Sequence, residues 1–386
     1  MHYLIHRCIP FAALLLCLSA QVYAQISIGE KVTVSSQILS ETRTLYVSLP
    51  KSYHTNPDQY YPLYLTLDAR AMFAPAATMI GSLSSSGAIP EMIVVSVENT
   101  DRWRDLTPVA HQDWSNSGGG EQFLQFIEKE LILFVEKNWR VHNYRIFSGH
   151  SLGGLMVMHS FFTQPKLFDA YIALSPSMRW SESLLNRWMT LGKSQRRDAN
   201  PSLYMALANE WEDKAGFNRI SEFVTNDKQV DLQVNFFHET DDHHSVRVPA
   251  TLAAIRWAFS DYQLRPQQFY QLSSLKVNQF YQHASKKYKL KRELDIMQLT
   301  NAGYWGLKNP STQTRALALF EKAVNLWPND AYAWSCLGEG KSRLGDLKGA
   351  HLALKKSLQI GEQSGFGDMD YLNALLASVE KKIRED

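Results

Sequence analysis

Apolar and polar residues alternate with a period of two over positions 31–39 and again over 43–49, with Ser40-Glu41-Thr42 between them. Alternation of that kind sends successive side chains to opposite faces, so the two stretches predict an antiparallel pair of strands. Positions 61–67 and 91–98 follow a different pattern: near-continuous apolar runs, as expected of central parallel strands covered on both faces. Between them, 71–80 has helical character. A long amphipathic helix is predicted over 121–139, with Phe123, Phe126, Ile127, Leu131 and Phe134 on one face. Three more strands read at 170–174, 203–208 and 230–237, and helices at 182–191, 216–226 and 248–262. This strand–helix alternation predicts an α/β fold, a doubly wound and mostly parallel sheet with helices on both faces. Right-handed crossovers then bring the C-terminal ends of the parallel strands to one rim, where ligands bind.

Beyond Tyr262 the pattern is helical only. Positions 267–292 form a polar, tyrosine-rich connector ending in the basic run Lys286-Lys287-Tyr288-Lys289-Leu290-Lys291-Arg292, which reads as a solvated helix face. From Leu299 a repeat emerges: Ala316, Phe320 and Ala323 recur 34 residues later as Ala350, Leu354 and Ser357. Together with Trp334, Leu337, Gly338 and Gly345, they resemble the small and large positions of a tetratricopeptide repeat, one good copy and one degenerate. Two copies leave a poorly covered face, so this small all-α unit is expected to pack on the preceding domain or on a protein partner. The expected division is a leader at 1–24, an α/β domain at 25–262, a connector at 263–296 and helical repeats at 297–386.

Composition changes this picture little. The chain has 386 residues, 45% hydrophobic and 20% charged, enough to bury a large core. Its net charge of +2 gives no case for a nucleic-acid partner. Positions 1–24 carry Arg7, an apolar run from Ile9 to Leu18, and Val22-Tyr23-Ala24 as a small-x-small cleavage signal. About ten to twelve apolar residues are too few to span a bilayer. The expectation is a periplasmic or secreted chain of bacterial type, with no membrane span once the leader is removed. Cys8 and Cys17 would leave with it, so Cys336 remains alone and no internal disulfide can form.

The chemistry gathers at Ser148-Gly149-His150-Ser151-Leu152-Gly153-Gly154, between a short strand and a helix. This is the G-x-S-x-G nucleophile elbow in its strand–turn–helix context. A serine nucleophile needs a base, and the base an orienting carboxylate, in the chain order serine, acid, histidine. The loop after the last strand offers His238, His243 and His244, and the loop after 203–208 offers Glu210, Glu212 and Asp213. Glu210 is the first acid past that strand. One oxyanion donor is expected at the N–H of Leu152, the other within Asp68-Ala69-Arg70-Ala71. Asp241-Asp242-His243-His244 are adjacent, so they cannot all converge on one ion, and neither metal nor cofactor is expected.

Residues 26–262 resemble the esterase family that includes enterochelin esterases, carbohydrate-linked feruloyl esterases and S-formylglutathione hydrolase. In that family the histidine stands in an Asp-His-Gly-Ser-like segment. Asp242-His243-His244-Ser245 matches it, and the resemblance thereby selects His243. It also supports Glu210 as the acid and Arg70 as the second oxyanion donor, although Ala69 replaces the family's glycine in that turn. It further implies that 99–108 and 175–180 wall a substrate cleft, with Arg102, Arg104 and Trp180, and also Trp114, as substrate-binding candidates. The leading expectation is a serine hydrolase of small-molecule carboxylic esters, siderophore or carbohydrate-linked esters among them, acting through an acyl-enzyme. Two rival expectations are a hydrolase-fold scaffold that recruits a protein through its repeats, and an acyltransferase.

Overall fold

The computed structural model describes residues 27–195, 200–237, 239 and 241–385. The expected leader at 1–24 and His238 lie outside them. Among the described residues, eight strands form one sheet: β1 (Glu30–Ser36), β2 (Glu41–Ser48), β3 (Tyr61–Thr66), β4 (Ile93–Val97), β5 (Val141–His150), β6 (Ala170–Leu174), β7 (Ser202–Leu207) and β8 (Asp231–Phe236), in the spatial order β1-β2-β4-β3-β5-β6-β7-β8. β2 runs antiparallel to β1 and β4, and every other pairing is parallel. The continuous apolar runs are the central strands: every residue of β3, β4, β6 and β7 is buried.

Among the described residues, eight α-helices accompany the sheet: α1 (Ala69–Ser85), α2 (Arg102–Leu106), α3 (Gly120–Phe126), α4 (Ile132–Asn138), α5 (Leu152–Thr163), α6 (Glu182–Gln195), α7 (Trp211–Thr225) and α8 (Arg247–Ala258). Side chains that alternate along each strand feed two cores. Leu63, Leu65, Phe147, Tyr171 and Met205 pack with α3 to α7 on one face. Tyr64, Ile146, Ile172 and Tyr204 pack with α1 and α8 on the other. Because β3 has β4 on one side and β5 on the other, chain direction across the sheet reverses there. The crevice at such a switch point is where doubly wound folds bind ligands.

Two sequence expectations shift. The single helix over 121–139 is split by a π segment, Ile127–Leu131. The wider turn keeps Ile127, Leu131 and Val135 in the core, and Glu130 accepts hydrogen bonds from the backbone of Gln37 and Ile38. The helix expected from 216 begins five residues earlier, at Trp211. Gly216 is not a boundary: a Cβ there would lie 2.9 Å from Met178 Cβ, so its smallness serves packing inside α7.

Beyond α8 come α9 (Ser274–Tyr288), α10 (Ile296–Leu307), α11 (Gln313–Leu326), α12 (Ala331–Arg343), α13 (Leu347–Ser364) and α14 (Met369–Glu385). The basic run is only partly a solvated face. Lys287 pairs with Asp261 at 3.1 Å and Lys289 with Asp169 at 2.6 Å, and buried Tyr288 donates to the Ala258 carbonyl at 3.0 Å. Acids from the sheet domain thus hold Lys287 and Lys289, whereas Lys286 and Lys291 stay exposed. Small residues let the later helices approach: a Cβ on Gly303 would meet the Phe320 ring at 2.5 Å, and one on Gly338 would meet Leu354 at 2.6 Å. Among the described residues no helix is long and apolar enough to cross a membrane.

Candidate active site

Ser151 sits between β5 and α5 with φ 61° and ψ −120°, a region that non-glycine residues rarely occupy. The surroundings enforce it. A Cβ on Gly149 would stand 2.3 Å from the Gly153 carbonyl oxygen, so no larger residue fits that position. Ser151 N–H donates to the Leu174 carbonyl at 3.0 Å, and Ser177 N–H donates to the Ser151 carbonyl at 3.2 Å. The elbow is thus tied to the end of β6, and Ser151 Oγ lies 3.3 Å from Ser177 Oγ.

β3 and β5 are parallel neighbours, and α1 and α5 start directly after them. Their N-termini therefore lie side by side; a Cβ on Gly153 would come within 3.2 Å of Asp68 Oδ2. First-turn N–H groups have no intrahelical acceptor, and they carry the positive end of the helix dipole. Leu152 and Arg70 both stand in such first turns. The Arg70 side chain is exposed and pairs with Glu98.

Glu210 occupies the N-cap position of α7 just past the end of β7, and His243 lies in the loop after β8. The structure brings the two together: His243 Nδ1 is hydrogen-bonded to Glu210 Oε1, and the carboxylate is largely buried. Their loops are joined as well, since Asn209 N–H donates to the Asp241 carbonyl at 3.0 Å. The competing acids go elsewhere. Glu212 pairs with Arg179, and Asp213 accepts the Arg179 N–H at 2.8 Å, with burial pushing its carboxyl up from the usual range. His244 is exposed and its N–H donates to Asp242.

Ser151, Leu152, Glu210 and His243 line one cleft of about 740 Å³. One wall is aromatic: Trp103 stacks on Trp114 at 3.8 Å and lies 5.8 Å from Trp180, which His111 flanks at 5.0 Å. Trp211 stands at the cleft and is 81% exposed. Arg102 also lines the cleft, held by Asp68 at 2.7 and 3.1 Å. Arg104 does not. It turns to Asp105 at 2.7 Å and Glu41 at 2.6 Å, joining the buried Arg43 in a charge network that anchors α2. Sequence reading placed Arg102 and Arg104 alike, but one helical turn sends residues two apart to opposite sides. It also did not single out Trp103, Trp211, Arg179 or His150. For the first three the only signal was membership of segments expected at the rim.

His150 is 6% exposed, and its Nε2–H donates to the His243 carbonyl at 2.6 Å. Its ring centroid is 4.5 Å from that of His243. Burial lowers its pKa to about 3, helped by the proximity of His243 and Arg247.

Comparison with known proteins follows the same lines. A family model described as "Putative esterase" matches residues 36–246. The ferri-bacillibactin esterase BesA of Bacillus subtilis is 30% identical over 187 residues, which is 42% of this chain and 64% of that protein. The chain thus spans somewhat less than two thirds of that relative. An IroE-like serine hydrolase from Shewanella oneidensis is similar at a TM-score of 0.62 and 25% identity, covering 78% of this chain and 99% of its own. An uncharacterised protein from Capnocytophaga ochracea, 17% identical at a TM-score of 0.59, covers 91% of this chain and 99% of its own. That likeness of fold necessarily extends into the C-terminal helices.

Proposed function

Because the chain belongs to the putative esterase family, we propose that it is a serine esterase acting on carboxylic esters through Ser151, His243 and Glu210. The observation that carries this reading is the His243–Glu210 hydrogen bond in the same cleft as a strained, glycine-flanked Ser151. Ser151 Oγ attacks the ester carbonyl while His243 Nε2 takes its proton, and the carbonyl electron pair moves onto oxygen. The N–H groups of Leu152 and Arg70 receive that oxyanion, each worth about 2.7–4 kcal/mol in such sites. Collapse expels the alcohol, protonated by His243. Water, giving its proton to His243, then attacks the acyl-enzyme, and collapse of this second intermediate releases the acid while His243 returns the proton to Ser151 Oγ. Glu210 holds the Nδ1–H tautomer and stabilises the transient imidazolium.

The proposed substrate class is an ester with aromatic groups, siderophore or carbohydrate-linked. It is supported by the indole stack of Trp103, Trp114 and Trp180 along the cleft. The relationship to a protein named for a ferric siderophore ester agrees with it. A tetratricopeptide-like reading of α10–α14 is supported by the burial of Ala316, Phe320 and Ala323 and of Ala350, Leu354 and Ser357, the residues 34 apart. A periplasmic or secreted location rests on the leader pattern alone. The test is Ser151→Ala, which should abolish p-nitrophenyl acetate hydrolysis and labelling by a fluorophosphonate probe. Labelling that persists in this variant refutes the assignment of the nucleophile.

A further inference from the structure

We propose that His150, the residue immediately before the nucleophile, is a positioning residue that fixes the loop carrying the base, so that the elbow itself sets where His243 stands. The inference rests on His243 being that base. Within the loop, most hydrogen bonds are local: Asp241 N–H to Phe237, Asp242 N–H to Ser245, and His244 and Ser245 N–H to Asp242. Asn209 holds the loop two residues earlier, at Asp241. At residue 243 the backbone is held instead by the His150 ring, through its 2.6 Å hydrogen bond, and the two imidazoles pack at 4.5 Å.

The mechanical consequence is direct. His150 ends β5, a central strand, and Ser151 follows it by one peptide bond. Nucleophile and base are therefore referenced to each other through one rigid ring rather than through two independent loops. A carbonyl only accepts, so the bond requires the Nε2–H tautomer of His150. The charged groups around it do not disturb that form. Burial and the nearby His243 and Arg247 side chains disfavour protonation, the hydrogen bond to the His243 carbonyl and the Asp68 charge favour it, and burial prevails, holding the pKa at about 3. The clamp is thus neutral and constant over the pH range in which an imidazole base works.

The experiment pairs two substitutions with a control. His150→Phe keeps a ring against His243 and removes the donor, whereas His150→Gln keeps a donor and removes the ring. Misplacing a reacting group by about 1 Å can cost on the order of 100-fold, so His150→Phe should lower kcat between about 10- and 100-fold. KM should stay within about twofold, because the substrate walls are untouched. Fluorophosphonate labelling of Ser151 should slow by a similar factor, and His150→Gln should recover a large part of both losses. An unchanged kcat in His150→Phe overturns the proposal. So does a Gln variant as impaired as the Phe variant with a matching fall in melting temperature, since that outcome assigns the ring to packing alone. The control His243→Gln separates the two levels: if it retains activity, the base is misassigned and both readings fall together.

Discussion

Glu210→Gln is the substitution that interrogates the proposed chemistry most closely, because it keeps shape and volume while it removes the charge. The Glu210 side chain is 10% exposed and that of His243 32%, so the pair sits at the boundary between protein and solvent. An effective dielectric near 20 is appropriate there, and two unit charges about 4 Å apart then attract by about 4 kcal/mol. That attraction exists only while His243 carries the proton of Ser151, so its loss falls on the transition state. At about 1.4 kcal/mol per factor of ten, it predicts a fall in kcat of roughly 1,000-fold. A lower bound comes from the hydrogen bond alone, about 1.5–3 kcal/mol for a charged partner, or at least about tenfold. The glutamine amide can also donate to Nδ1, forcing the proton onto Nε2 and leaving no acceptor for Ser151, which pushes the loss toward about 10,000-fold. The assay is steady-state hydrolysis of p-nitrophenyl acetate, with circular dichroism melting to confirm folding. A loss smaller than about tenfold, or an equal loss in Glu212→Gln or Asp213→Asn, would refute the role given to Glu210.

Two further outcomes are expected. Gly149→Ala places a methyl group 2.3 Å from the Gly153 carbonyl oxygen, a backbone atom that cannot swing aside. It should destabilise by about 3 kcal/mol or more, the upper part of the overpacking range, and lower the melting temperature along with activity. His150 makes stability depend on pH with a definite sign. Its folded pKa of about 3 lies below the ordinary histidine value of 6.5, so between those values the unfolded chain binds the extra proton. Stability is therefore lost as pH falls below about 6.5, by up to roughly 4 kcal/mol once pH nears 3, on the linkage relation. The melting temperature of the native chain should drop more between pH 6.5 and 4 than that of His150→Phe. Parallel curves would remove His150 from that role.

The elbow was legible because its constraint is local. A strand, a turn without room for side chains and a helix are contiguous, and Gly149, Ser151 and Gly153 are written side by side. The parallel core strands were legible too, since burial on both faces demands unbroken apolar runs. Reading failed where a residue's purpose lies in another part of the chain. Gly216 looked like a helix boundary and is a packing contact with Met178. The basic run from Lys286 looked solvated throughout, yet Lys287 and Lys289 find Asp169, Asp231 and Asp261 on the sheet domain.

By itself, then, the sequence determined the α/β alternation, the strained serine and a short list of acids and imidazoles for two later loops. Only the tertiary structure decided which of them meet: Glu210 with His243, Arg102 with Asp68 beside the cleft, Arg104 with Glu41 away from it, and His150 beneath the loop of His243. The reason is physical. Backbone sterics and side-chain periodicity act over a few neighbouring residues, whereas the partners of a charge or an imidazole are set by strand order, which brings together residues 33 to 93 positions apart.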